Sequence, residues 1–477
     1  MTERIQQNVY LAIDFGGGSG RVMAGKLTDG KLELEEIHRF ANRQVRLGNH
    51  VYWDFPALFE DMKDGLKAAA RKGYHVKGIG IDTWGVDFGF IDAQGNLLGN
   101  PVCYRDARTQ GTIGKVFHLL DRQQHYATTG IQVMEINTLF QLYSMKEADD
   151  PRLHVGHRLL FMPDLFSYYL TGVANNEYCI ASTSELLDVR TRNWSWETIR
   201  ALGLPEHLFG PIVTPGTIRG TLREELARET GLGPVNVIAV GSHDTASAVA
   251  AVPCTDTPVA FLSSGTWSLL GVETETPILT EEARKAEFTN EGGVGGRIRF
   301  LQNITGLWLL QCLLKQWAQR GEPQPYDVIL PQAEKAETEA IIPVDDPAFM
   351  NPDNMEEAIM TYCHRHGMQA PRDKAEMVKC VLQSLACKYA QAVEQLNRLL
   401  PSPIRQLNII GGGSQNALLN RLTANRLGIP VQAGPVEATA MGNVLVQAMA
   451  CGEIASFSQL REVALRSATP QMFYPEK

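Results

Sequence analysis

Residues 10–35 read Tyr10-Leu-Ala-Ile-Asp-Phe-Gly-Gly-Gly-Ser-Gly-Arg-Val-Met-Ala-Gly-Lys-Leu-Thr-Asp-Gly-Lys-Leu-Glu-Leu-Glu35. An apolar run ends in a carboxylate, Asp14, and is followed by a glycine-rich turn. What comes after the turn decides the fold. A dinucleotide-binding unit continues from its glycine loop into a helix. Here Val22-Met-Ala-Gly-Lys-Leu27 carries a helix-weakening glycine and meets Thr28-Asp-Gly30, a hairpin signal, before the alternating segment Lys31–Glu35. The reading is strand, glycine turn, strand, turn, strand: an antiparallel meander.

Outward from this stretch, helical spacing of Leu58, Phe59, Met62, Leu66 and Ala69 predicts a helix over about 55–72. A strand ending in a carboxylate is expected at Gly78–Asp82, with a turn around Asp92–Gly95. A second round begins with a strand at Val237–Val240 and the small-residue run Gly241-Ser-His-Asp-Thr-Ala-Ser-Ala248. It continues as strand, turn, strand through Val259–Leu262, Ser263–Thr266 and Trp267–Gly271. The echo of residues 14–24 hints at an internal duplication. Met377–Leu400 reads as a long buried helix feeding a strand at Leu407–Ile410, the turn Gly411–Ser414 and a helix over Ala417–Leu427. The expected division is a domain of residues 1–243 and a domain of residues 244–477, with a cleft or hinge near residue 243.

The chain has 477 residues, enough for two or three domains with sizeable cores. Lys plus Arg number 44 against 53 Asp plus Glu, a formal charge of −9 that argues against nucleic-acid or anionic-membrane partners. Small phosphorylated ligands remain open, because backbone amides hold phosphates without a basic patch. Eight cysteines without a CxxC pair fit free thiols in a reducing cytosol better than a disulfide framework or a zinc site; Cys363 and Cys380 are read as free. The first 14 residues lack the ordered regions of a secretory leader, and no run approaches the ~18 apolar residues of a membrane span. A cytoplasmic location is expected.

Three turns of glycine or small residues, Gly16–Gly20, Ser263–Thr266 and Gly411–Ser414, each follow an apolar strand and suit the approach of phosphate to backbone N–H groups. No GxxxxGK[ST] occurs, which rules out a P-loop. Asp14 and Asp244 stand at comparable points of the two rounds; each fits a cap or turn as well as a carboxylate serving phosphoryl transfer. His243 beside Asp244 invites a dyad, but neighbours on a strand face opposite ways, so ligand contact or packing is the expected role of His243. His154 and His157 lack a third metal ligand nearby and read as a solvated pair. Trp84, Trp267 and Trp308 read as core.

Taken together, the chain resembles the FGGY family of carbohydrate kinases. The resemblance is carried by Ile81-Asp-Thr-Trp-Gly-Val-Asp-Phe88, Ser242-His-Asp-Thr-Ala-Ser-Ala-Val249, Leu262-Ser-Ser-Gly-Thr-Trp-Ser-Leu269 and Gly434-Pro-Val-Glu-Ala-Thr439. Tyr104-Arg-Asp106, Met162-Pro-Asp164, Asn290-Glu-Gly-Gly293 and Gly306–Gln311 add to it. It implies an α/β fold of two actin-like ATPase, ribonuclease-H-like domains flanking a deep catalytic cleft, the first carrying the sugar site and first phosphate loop, the second the nucleotide site. It implies ATP-dependent phosphorylation of a ketose, L-rhamnulose giving L-rhamnulose 1-phosphate, with L-fuculose or L-xylulose as alternative acceptors. A non-kinase actin-fold ATPase module is the alternative of another class; the Ser-His-Asp-Thr run speaks against it.

By the same resemblance Asp244 is the general base. Gly85, His243, Thr245 and Asn303, with Asp244, fall at sugar-binding positions. Gly17, Gly18, Ser19, Gly20 and Arg21 form the first phosphate loop, and Thr266, Gln311 and Gly412 lie at nucleotide-binding positions. Asp14 would hold Mg²⁺ through water. The first loop is richer in glycine than is usual in the family, and Phe161–Gly172 lacks the Lys and Trp of the general family signature.

Overall fold

The computed structural model describes residues 8–254, 258–350 and 352–476. The meander forms as read. Strands β1 (Asn8–Phe15), β2 (Ser19–Thr28) and β3 (Lys31–Ala41) pair antiparallel in succession. The β2–β3 turn places Asp29 at φ 50° and Gly30 at φ 71°, the two left-handed residues that match the right-handed twist of a hairpin. Helix α1 (Phe55–Arg71) follows, capped by the Asp54 side chain, which accepts from Ala57 N. The chain then returns as β4 (His75–Thr83), parallel to β1. Strands β5 (Ile218–Thr221) and β6 (Asn236–Ile238) complete a six-stranded sheet in the order β5-β6-β4-β1-β2-β3.

Strand β1 is apolar at nearly every position because both its faces are covered. Val9, Leu11, Ile13 and Phe15 join the cluster containing Leu58, Met62 and Leu66 of α1. Tyr10 and Ala12 point the other way, into a cluster with Met441, Val444 and Leu445 from near the other end of the sequence.

The second unit repeats the pattern. Strands β7 (Ala260–Ser264) and β8 (Trp267–Thr274) form an antiparallel hairpin. After β9 (Ile298–Thr305), β10 (Leu407–Ile410) adds parallel to β7, and β11 (Val431–Ala433) adds parallel to β10. The run β8-β7-β10-β11 thus has the pairing pattern of β2-β1-β4-β6, which is the duplication hinted at by the turns.

The packing does not divide at residue 243. One unit takes the described residues through 254 together with Glu273–Phe300 and Ala438–Ser467; the other takes those from 258 to Val272, Leu301–Glu437 and from Ala468 to 476. Two helices account for the difference. Asp244–Ala250 (α2) and Ala438–Ala450 (α3) pack on each other, so closely that a Cβ on Gly442 would fall 1.8 Å from the Ser247 carbonyl oxygen. The Gln447 side chain of α3 also donates to the Leu11 carbonyl of β1. Among the described residues no helix is long and apolar enough to cross a membrane.

Candidate active site

At the carboxyl ends of β1 and β4, sheet register sets three charged residues in a row. Asp14 is the Cα partner of Arg21 on one side and of Asp82 on the other. Arg21 Nη2 donates to Asp14 Oδ2 at 2.6 Å. Asp82 is fully buried and takes a hydrogen bond from Asn443 Nδ2 at 2.5 Å on Oδ2. Its Oδ1 meets no donor among the described residues, so a bond to the neighbouring Asp14 carboxyl requires a proton on one of the two. Burial, then the Asp14 charge, push the Asp82 carboxyl well above the usual range; Asn443 works against this and the Asp244 charge adds to it.

The turn between β1 and β2 is closed by Gly16 N donating to Ser19 O at 3.0 Å and fastened by Asn42 N donating to Gly18 O at 3.2 Å. Gly17 and Gly18 are exposed, and a Cβ on either would meet no atom within 4 Å. The fold itself does not require glycine there; what its absence of side chain leaves bare is the turn's backbone.

The segment Gly241–His243 is held by Thr83 N donating to Ser242 O at 2.9 Å and by Ser242 N donating to Glu177 Oε2 at 3.1 Å. His243 is the N-cap residue of α2 and Asp244 its first residue. Because the pair sits at a helix start rather than on a strand, the expectation that the two side chains diverge fails: His243 Nε2 lies 3.3 Å from Asp244 Oδ1. Thr245 N (2.6 Å) and Thr245 Oγ1 (3.3 Å) also donate to Oδ1. Two hydrogen bonds therefore converge on one oxygen of Asp244, with His243 Nε2 close beside it, and none of the described residues donates to Oδ2. Burial pushes the Asp244 carboxyl above its ordinary range, the Asp14 charge raises it further, and the hydrogen bonds from Thr245 work against both. A carboxylate with one oxygen pinned, the other open and its basicity raised is suited to accept a proton. Gly85 faces this group: a Cβ there would stand 3.5 Å from His243 Nε2 and 3.3 Å from Thr183 Oγ1.

In the second unit the β7–β8 turn holds Thr266, whose Oγ1 donates to Gln311 Oε1 at 3.1 Å. Gln311 lies on α4 (Trp308–Gln319), whose start is tied to the same turn by Trp308 N donating to Thr266 O. The loop after β10 abuts the end of β7, where a Cβ on Gly413 would meet Ser264 Oγ at 2.0 Å, whereas one on Gly412 would meet nothing within 4 Å. Asn303 lies on β9, half-buried.

The structure thus gathers Asp14, the Gly17–Arg21 loop, Gly85 and His243–Thr245 in the first unit, and Thr266, Gln311 and Gly412 in the second. Sequence reading passed over Asp82, Glu291 and Arg299 as functional candidates. Asp82 stood inside a quoted motif as a strand ending, and Glu291 inside Asn290–Gly293; only the register and the β-pairing place them beside the others. Of the residues set aside, Trp84 is core, 4.0 Å from Trp53 between ring centroids, and its indole donates to the buried Asp87. His154 is exposed and paired with Asp149. None of the eight cysteines, all among the described residues, is in a disulfide.

Comparison with known proteins gives the family. Residues 9–251 match the N-terminal domain and residues 260–451 the C-terminal domain of the FGGY family of carbohydrate kinases. The chain belongs to this family and is a carbohydrate kinase with the two-domain, actin-like fold. It is 46% identical over 473 residues to a rhamnulokinase of Bacteroides thetaiotaomicron, covering 99% of this chain and 96% of that one. It is 40% identical over 469 residues to a rhamnulokinase of Bacillus subtilis, covering 98% and 96%. Among solved structures it is similar to gluconate kinase from Lactobacillus acidophilus (TM-score 0.81, 14% identity, 98% and 94% coverage) and to Plasmodium falciparum glycerol kinase with ADP (TM-score 0.79, 15% identity, 99% and 94%). At these identities the structural likeness speaks for the fold.

Proposed function

We propose that the protein transfers the γ-phosphoryl group of ATP to the primary hydroxyl at C1 of L-rhamnulose, giving L-rhamnulose 1-phosphate and ADP. The observation that carries the chemistry is Asp244, pinned on Oδ1 by His243 and Thr245 and open on Oδ2. Oδ2 takes the hydroxyl proton as the sugar oxygen bonds to the γ-phosphorus and the bond from that phosphorus to the bridging oxygen of ADP breaks. The choice of L-rhamnulose is supported by the two rhamnulokinase relatives, each similar over almost the whole chain.

In this reading Gly85, His243, Thr245 and Asn303 hold the sugar. The bare backbone of Gly17, Gly18, Ser19, Gly20 and Arg21 receives phosphate, and Thr266, Gln311 and Gly412 serve the nucleotide. Asn303 aside, the first domain carries the sugar and first phosphate contacts and the second the nucleotide contacts. The buried Asp14–Asp82 pair, with one carboxylate oxygen lacking a donor, suits a divalent cation. Mg²⁺ keeps waters and takes phosphate oxygens, so it needs only one or two protein carboxylates. Asp14 would hold it through water; when bound, it neutralises charge on the transferring phosphates. Cysteines kept out of disulfides suit the cytoplasm.

The test is a panel of ketoses assayed with Mg-ATP by ADP release. L-rhamnulose is expected to give the highest kcat/KM. A clear preference for L-fuculose or L-xylulose overturns the substrate assignment, and ATP turnover indifferent to any sugar overturns the kinase reading.

A further inference from the structure

Behind His243 lies a buried charged group that neither the sugar nor the nucleotide contacts explain. Arg299 on β9 is fully buried, and Glu291, on the strand Thr289–Gly292, is nearly so. Arg299 Nε donates to the Gly292 carbonyl at 2.9 Å, which fixes the guanidinium plane. Its Nη2 is 3.0 Å from Glu291 Oε2 and donates to His243 Nδ1 at 3.2 Å. Burial drives the Glu291 carboxyl up, but the Arg299 guanidinium holds it below its ordinary range, so Glu291 is an anion paired to a fixed cation.

A guanidinium carries donors only, so the ring nitrogen that accepts from it has no proton. A neutral imidazole with a bare Nδ1 carries its proton on Nε2, and Nε2 is the atom 3.3 Å from Asp244 Oδ1. We infer that Arg299, braced by Glu291 and the Gly292 carbonyl, is a positioning residue that sets the tautomer of His243, so that Nε2–H donates to Asp244 Oδ1 and leaves Oδ2 to face the sugar hydroxyl. With the opposite tautomer a bare Nε2 would confront the carboxylate and loosen it. The geometry of the base therefore depends on a residue that touches neither substrate. Glu291 Oε2 also lies 3.2 Å from His243 Nδ1, and an imidazolium donating to it is the rival arrangement. The inference rests on Asp244 as the base.

Nitrogen-15 NMR of histidine-labelled enzyme, with the His243 signals assigned by their loss in His243→Gln, reads the tautomer directly. Wild type is expected to show a neutral ring protonated on Nε2. The double variant Arg299→Met, Glu291→Gln removes both charges together and so buries no orphan ion. It is expected to show mixed tautomers and a kcat about tenfold lower or worse, the scale of one lost hydrogen bond to a charged group, with KM for ATP unchanged. Arg299→Lys is expected to restore the Nε2–H form and most of kcat. An Nδ1–H or imidazolium signature in wild type at neutral pH overturns the inference even if the double variant does not fold, and so does an unchanged tautomer or kcat in that variant. A parallel assay of Asp244→Asn separates the two claims: near-normal turnover there removes the base itself, whereas an inactive Asp244→Asn beside a fully active double variant removes only the role of Arg299.

Discussion

Replacing Asp244 by Asn changes one atom and little else, which makes it the sharpest perturbation of the site. The amide oxygen can occupy the position of Oδ1 and keep the bond from Thr245 N at 2.6 Å and the approach of His243 Nε2, so the start of α2 stays as it is. The amide nitrogen takes the place of Oδ2, where no protein donor competes, and it cannot accept a proton. The loss is then that of general-base catalysis alone, about 10²–10⁴-fold in kcat, or about 2.7–5.5 kcal/mol of barrier. Folding should not suffer, since burial and the Asp14 charge both disfavour the carboxylate that is removed. The assay is steady-state ADP release alongside calorimetric binding of the ketose and of ATP. Binding within a few-fold of wild type with kcat down at least 100-fold is expected. A kcat within tenfold of wild type refutes the reasoning, because the open oxygen would then be carrying no proton.

Gly85→Ala places a methyl 3.5 Å from His243 Nε2 and 3.3 Å from Thr183 Oγ1, and is expected to raise KM for the sugar several-fold while leaving KM for ATP unchanged in the same assay. Gly442→Ala drives a methyl into the Ser247 carbonyl between two helices and should cost about 1–3 kcal/mol or more, measured as a lower urea midpoint without a change in slope. Asp87 gives a pH signature: burial pushes its carboxyl up to about 6 against the pull of Trp53, Trp84, Gln141 and the Tyr104 amide. A carboxyl raised on folding binds protons more tightly in the folded state, so its contribution falls as pH rises from about 4 to about 6. Asp87→Asn should therefore flatten the decline of unfolding free energy across that window by at most about 3 kcal/mol, and an unchanged slope between pH 4.5 and 6.5 would count against the assignment.

Local signals were legible where one chemical rule decides the outcome. Thr28-Asp-Gly30 specified a two-residue turn because two left-handed residues are needed there, and the structure has both. The helices at Phe55–Arg71 and Ala417–Leu427 and the strand Leu407–Ile410 fell close to their expected bounds because periodicity and caps agree. Pairing partners across long stretches of chain were not legible. Nothing in the order of residues says that Ala438–Ser467 packs with the first sheet, and so the division at 243 was placed by position along the chain rather than by contacts. The same limit applies to the site. Asp14 and Asp244 stood out because each ends or follows an apolar strand, yet the row Arg21–Asp14–Asp82 exists only through sheet register. His243 and Asp244 were misjudged as strand neighbours, since the strand before them ends at Ile238 and a helix begins at Asp244.

The return of Ala438–Ala450 to the first sheet bears on how the protein is made. Tyr10, Ala12 and Met23 on that face meet Met441, Val444 and Leu445, residues synthesised long after the sheet itself. At ribosomal rates of about 5–20 residues per second, the interval between residues 251 and 438 is roughly 10–40 s. Throughout that interval a sheet with all its strands already translated lacks one of its two apolar coverings. A nascent chain halted there carries a sticky surface for chaperones or for its own kind, and the closing helix, supplied in trans as a separate peptide, should find that surface waiting.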